Sequence, residues 1–166
     1  MIIYHGSTIE IQNPDVIHSK RNLDFGPGFY LTTIRDQAER WALRKALRLR
    51  AAAVVSVYNI DETRTGFREK VFAKNDREWV EFVCACRRGG DVFKQYDVVI
   101  GGVANDKVYT VVDMYYRGIW DIDRTLSELR FYEYNDQICF LNQQLIDKHL
   151  SFDESYEVLE YDRTNR

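Results

Sequence analysis

Proline is nearly missing from this chain, with two residues in 166, and cysteine is scarce, with three. The thiols Cys84, Cys86 and Cys139 make no paired C-x-x-C spacing, so neither a disulfide framework nor a zinc knuckle is encoded and no metal is expected. There is no run of 18 apolar residues of the kind a membrane-spanning helix needs. The opening MIIYHGS has no basic segment leading into a long apolar one. The expectation is a cytoplasmic protein with no membrane partner, with export by a route that leaves no signal still open. An excess of one charge is lacking too: 23 Lys and Arg against 26 Asp and Glu leave a formal charge of -3. That balance argues against a dedicated polyanion-binding domain while allowing a local basic strip. Internal repeats and low-complexity segments are absent.

What remains describes an ordinary globular chain, 45% hydrophobic and 14% aromatic, long enough to bury a core without staples. One domain over 1–166 is expected, with 151–166 as an acidic, tyrosine-rich tail. Ile2 to Tyr4 and Phe29 to Leu31 read as strands, as do AVVSVY (53–58), YDVVIGGVA (96–104) and DQICFLN (136–142), from their β-branched and aromatic content. Thr33-Ile34-Arg35-Asp36 suggests a capping box opening a helix to about Leu49. DREWVEFVCACRR (76–88) puts Trp79, Val80, Val83 and Cys84 on one helical face, and DIDRTLSELR (121–130) and Gln143 to Leu150 read as helices. DKVYTVVDMYYRG (106–118) fits either a helix or a strand. Strands recur along the chain without regular βαβ alternation, which favours α+β.

One basic strip exists, in Arg40, Arg44, Lys45, Arg48 and Arg50. Its helical spacing makes a solvated polar face the plain reading, with nucleic-acid binding the alternative.

Three polar stretches sit at strand edges: His5-Gly6-Ser7, Gly26 to Tyr30 and Asn135-Asp136-Gln137. Singly, a histidine after a strand, a glycine corner and a strand tyrosine are all ordinary structural features. Their order is what carries information. YHGS, then FGPGFYLTT, then a helix bearing Ala38 and Trp41 resembles the first two motifs of the ADP-ribosyltransferase superfamily. The resemblance is to the histidine–tyrosine branch, which includes diphtheria toxin and the poly(ADP-ribose) polymerases. EWVEFV and YDVVIGGVANDK also look like a small bacterial family of this superfamily, whose members are often toxins encoded beside a small antitoxin.

That resemblance implies a split β-sheet core with flanking helices and NAD as substrate. His5 matches the histidine that hydrogen-bonds the adenosine ribose, a task its two ring nitrogens suit. Gly6 matches the residue whose backbone grips the nicotinamide carboxamide, and Ser7 could add a hydroxyl. Tyr30 matches the ring on which nicotinamide stacks, and Gly26-Pro27-Gly28 would shape the backbone so that ligand passes close by. The third motif departs from the family, which places a glutamate at the start of a late strand to stabilise an oxocarbenium-like transition state. Here that strand opens with Asp136 and Gln137. Adjacent strand residues face opposite ways, so only one of them enters the cleft. Gln137, directly preceding the apolar run, is favoured; Asp136 and Glu78 are the alternatives, with Glu81 on the same helix. The expected activity is mono-ADP-ribosyl transfer to a protein or nucleic-acid acceptor, with a cognate antitoxin as possible partner. A non-catalytic NAD or ADP-ribose binding module and an NAD glycohydrolase are the alternatives.

Overall fold

Two open sheets pack about a shared core. A computed structural model describes residues 1–19, 22–61 and 65–159. The first sheet is antiparallel, with β3 (Val54–Ile60) between β1 (Ile2–Ser7) and β7 (Leu150–Glu157). The second runs β2 (Phe29–Leu31), β6 (Asp136–Phe140), β5 (Val98–Gly102), β4 (Glu69–Val71), antiparallel except for the parallel β5–β4 pair. β1 and β2, the facing edges, touch through one antiparallel bridge, in which Tyr4 and Thr32 exchange N–H···O bonds of 2.9 and 3.0 Å.

Side-chain alternation along the strands sorts the interior into three cores. Ile3 of β1, Tyr58 of β3, Phe29 and Leu31 of β2, and Ile138 and Phe140 of β6 fill the space between the sheets. The opposite face of the second sheet, with Cys139 and Val99, is covered by α2 (Arg77–Arg87), α3 (Asp106–Tyr116) and α4 (Ile122–Leu129). The outer face of the first sheet packs on α1 (Arg35–Leu49). α1 presents Ala38, Ala42 and Ala46 at four-residue spacing, so its backbone comes close to β1. A Cβ on Gly6 would collide with the Ala38 carbonyl and the Ala42 nitrogen. α5 (Gln143–His149) links β6 to β7.

Most strands and helices fall where the pattern places them, and four details differ. The segment 106–118, open to either reading, is helical over Asp106–Tyr116, capped by the Asn105 side chain on the N–H groups of Lys107 and Val108. The expected tail is a strand as far as Glu157, paired with β3, while 160–166 lie outside the described residues. The charged link after β3 holds the short edge strand β4. Finally, α1 starts at Arg35 with Ile34 at the cap and no side-chain cap bond, so the Thr33–Asp36 capping box does not form. The Thr33 N–H is taken instead by Asp136, 3.2 Å away. Lys20 and Arg21, in the polar segment before the glycine corner, lie outside the described residues.

Candidate functional site

His5 sits where the two sheets part. Its ring leaves β1 on the face towards the inter-sheet core and stacks on Phe29, with centroids 4.5 Å apart and planes 20° from parallel. Nδ1 lies 2.6 Å from the Tyr30 carbonyl, which can only accept, so Nδ1 carries the proton and Nε2 is left as an acceptor. Burial, reinforced by the nearby Lys45 charge and opposed by the Tyr30 carbonyl, pulls the imidazole pKa down to about 3. His5 is therefore neutral at physiological pH, a fixed hydrogen-bonding wedge between β1 and β2.

The neighbouring peptide of Gly6 points away from β3, because Tyr4, two residues earlier, directs its own N–H and C=O to Thr32. Its carbonyl accepts from Lys45 Nζ at 2.6 Å. Sequence reasoning counted Lys45 in a solvated basic face; it is half-buried over β1 instead. Ser7 is half-buried at the end of β1.

The glycine corner faces protein. Gly26 has φ +85°, a left-handed conformation natural to glycine, and a side chain there would strike the Phe93 ring. A Cβ at Gly28 would meet the Phe140 carbonyl and Cys139 Sγ, so this residue lies against β6 and does not open a path for ligand. Tyr30 closes the corner: its hydroxyl donates to the Gly26 carbonyl at 2.6 Å and accepts from the Phe25 N–H at 3.0 Å. Burial raises its pKa well above the ordinary phenol value. Its ring lies on the helix-covered face of β2, opposite Phe29 and hence opposite the His5 ring. Histidine and tyrosine meet through the Tyr30 carbonyl, not ring to ring.

β6 separates its two polar residues as alternation requires. Gln137 turns to the helix-covered face and is buried at 4% exposure. Its Nε2 donates to Asp24 Oδ2 at 2.9 Å and to the Gly102 carbonyl at 3.0 Å. Asp24 also accepts from Arg87 Nε at 2.7 Å and from the Ala104 N–H at 2.9 Å. Gln137 thus belongs to a satisfied structural network, contrary to the expectation that it lines the cleft. Asp136 faces the other way, towards the bridge between the sheets. It accepts from Thr32 Oγ1 at 2.8 Å and from the Thr33 N–H, and its backbone carbonyl accepts from Gln37 Nε2 at 2.6 Å. Gln37 is buried on the first turn of α1, and its Oε1 has no partner.

Glu78 is not part of this arrangement. It is exposed on α2 and paired with Lys70 of β4, the strand farthest from β2 in its sheet. Glu81, one turn along, lies 3.8 Å from Arg77 on the same exposed face. The structure thus brings together His5, Gly6, the Tyr30 backbone and Asp136, and adds Lys45 and Gln37, which sequence reasoning missed. Nothing local marks either addition; only the docking of α1 does. Cavities of about 350 Å³ at Arg68–Asn142, past the far end of β6, and about 290 Å³ at Asn75–Tyr134 do not include His5 or Tyr30. Among the described residues no group of three or more His, Cys, Asp or Glu is placed to hold a metal, and no helix is long and apolar enough to cross a membrane.

Over residues 1–152 the chain matches a family described as a protein of unknown function, DUF3990. The match takes in most of the sequence, and the chain belongs to that family. No curated protein matches it.

Proposed function

We propose that this DUF3990 member is an NAD-dependent mono-ADP-ribosyltransferase whose cleft is the parting between β1 and β2. One observation carries the reading: His5, Asp136 and the orphaned Gln37 carbonyl converge at the only bridge joining the described sheets. Two edge strands joined by one described bridge, with the His5 imidazole bonded across them, support a split-sheet reading of the YHGS and FGPGFYLTT motifs.

The groups present suit NAD. His5 Nε2, an acceptor fixed by the Nδ1–H bond, takes a ribose hydroxyl. The outward peptide edge of Gly6 offers one donor and one acceptor, the complement of a carboxamide, once Lys45 yields the carbonyl. Gln37 Oε1 accepts one further N–H or O–H, relieving a buried polar atom that otherwise costs about 1–3 kcal/mol. Asp136 supplies negative charge at the junction, where a ribose carbon losing nicotinamide develops positive charge. Asp136, and not Gln137, is therefore the residue we place in the third catalytic position. Its tie to Thr32 and Thr33 holds it in place before substrate arrives.

A second reading, a non-catalytic NAD or ADP-ribose binding module, draws on one feature: Lys45 Nζ occupies the Gly6 carbonyl that the carboxamide needs. Titration calorimetry with NAD, together with chromatography of released nicotinamide, separates the two. Binding with release, both weakened in His5→Ala, supports the transferase. Binding without release supports the module, and NAD affinity unchanged in His5→Ala sinks both. Association with an antitoxin, as in the toxin–antitoxin pairs the family resemblance suggests, belongs to the same proposal.

A further inference from the structure

The link from α4 to β6, residues 130–135, leads straight into Asp136 and forms one wall of the cavity of about 290 Å³. Tyr132, Tyr134 and Leu129 line it, with Lys74 and Arg130 at its rim and Asn75 across from the link. Phe131, in the same link, is 83% exposed. The cavity adjoins Asp136 through the sheet. Gly102 pairs with Asp136 across β5–β6, so a side chain at Gly102 would share a face with the Asp136 carboxylate, about 5 Å from it at Cβ. Gly102 has none, and the Asn75 carboxamide fills that space. Asn75 Oδ1 is buried against Gly102 and has no hydrogen-bond partner. Tyr134 registers the same proximity, since burial and then the Asp136 charge raise its pKa.

We propose that this cavity is the acceptor site and takes an amine-bearing base of single-stranded nucleic acid. The proposal rests on the transferase reading above and names its substrate class. Aromatic faces at Tyr132 and Tyr134 stack a base whatever its identity, and exposed Phe131 is placed to stack its neighbour. The transfer needs an exocyclic amine as nucleophile, which selects adenine, cytosine or guanine over uracil and thymine. Lys74 and Arg130 meet the flanking phosphates. Asp76 also lines the cavity, its carboxylate accepting the Trp79 N–H at 3.1 Å, so Lys74 and Arg130 outnumber the anion at the rim. On the other side of Asp136, α1 begins, and Arg40, Arg44 and Arg48 form a stripe at four-residue spacing over about 12 Å, a track for a strand leaving the cavity. In the transfer, the base nitrogen bonds to the ribose carbon as the bond from that carbon to the nicotinamide nitrogen breaks. The electron pair leaves with nicotinamide, and the amine proton passes to Asp136 and then to water.

The test uses full-length protein and short fluorescein-labelled RNA and DNA oligonucleotides of mixed sequence, followed by anisotropy. Single strands should bind and unlabelled duplex should compete poorly. Tyr132→Ala should lose about tenfold in affinity, whereas Tyr134→Phe, which keeps the ring and gives up only a bond to the Phe72 carbonyl, should bind as the wild type does. Lys94→Ala, a cation outside this cavity, serves as the charge control. Melting curves confirm that each variant is folded. No binding by folded wild type, or unchanged affinity in Tyr132→Ala, overturns the site. A second arm supplies NAD labelled in its adenylate part. Label on mixed-sequence oligonucleotides but not on oligouridine supports the proposal. Label only on proteins of a nuclease-treated lysate overturns the nucleic-acid acceptor and leaves the transferase standing. Tyr132-dependent oligonucleotide binding with no nicotinamide release at saturating NAD removes the transferase, and with it the acceptor role.

Discussion

Replacing Gln137 with glutamate decides between the two polar residues of β6. If Gln137 held the family's catalytic position, Gln137→Glu would restore the missing carboxylate and raise activity. The structure requires the opposite. Gln137 Nε2 donates at 2.9 Å to Asp24 Oδ2 and at 3.0 Å to the Gly102 carbonyl, and neither partner can donate in return. A carboxylate there turns two hydrogen bonds into acceptor–acceptor contacts, one with another negative charge. Each orphaned buried acceptor costs about 1–3 kcal/mol, and broken buried networks of this kind cost about 3–5 kcal/mol in all. In a chain of 166 residues, 1 kcal/mol shifts Tm by about 2–4 °C, so the variant should melt ~10 °C below wild type near neutral pH. Burial and the adjacent Asp24 raise the new carboxyl's pKa in the folded state. Stability is then fullest below the unfolded-state value near ~4.3 and falls as pH rises through the folded one. In acid the protonated group can donate one bond, and the gap between variant and wild type should narrow by roughly half. Thermal melts of both proteins at matched acidic and neutral pH measure this gap directly. A Gln137→Glu protein as stable as wild type, with a gap independent of pH and faster nicotinamide release, would refute the assignment of Asp136.

Asp136→Asn removes the charge and keeps one of the two acceptor oxygens, enough for the Thr33 N–H, while its amide turns to the Thr32 hydroxyl; nicotinamide release should fall about 10²–10³-fold in a variant that melting curves show to be folded, and undiminished release would exclude Asp136. His5, whose pKa falls from 6.5 to about 3 on folding, contributes stability that is complete above pH 6.5 and is lost as pH falls through about 3. Denaturant unfolding of wild type should lose about 1.4 kcal/mol per pH unit across that window, and a His5→Phe protein with the same slope would contradict the buried neutral imidazole. Asp97 is held at about 2 by its bonds to Arg68, with Asn142 assisting, so its stabilising share should disappear as pH falls from 3.8 through about 2. Asp97→Asn should flatten that part of the acid unfolding curve, and an unchanged curve would show the ion pair to be inconsequential.

The elements legible in the sequence are those whose partners lie within the same segment. Asp76 caps α2 through the Trp79 N–H, three residues on, and the apolar face of that helix repeats at short range. β7 is different. LSFDESYE offers Leu150, Phe152 and Tyr156 among serines and acidic residues, and it becomes a strand because β3 supplies a template and because charge suits an edge. The start of α1 fails for the same kind of reason: the donor that a capping box would satisfy locally is satisfied by Asp136, 103 residues away.

The site divides along the same line. His5 and Tyr30 could be paired from sequence because their motifs come in a recognisable order, yet their side chains lie on opposite faces of β2. Asp136 and Gln137 leave β6 on opposite faces, as strand alternation requires. The apolar run after Gln137 does not mark an open side, since Gln137 is buried on the helix-covered face. β6 is a central strand covered on both faces, by the inter-sheet core on one and by α2 to α4 on the other. On such a strand, burial preference is the same for either face, so a polar residue's side is fixed by where its hydrogen-bond partner stands. For Gln137 that partner is Asp24, 113 residues earlier, already committed to Arg87 of the covering helix. For Asp136 it is Thr32, at the Tyr4–Thr32 bridge between the sheets. The carboxylate at the junction is therefore a consequence of how the sheets meet, and it disappears from view in any reading confined to one strand.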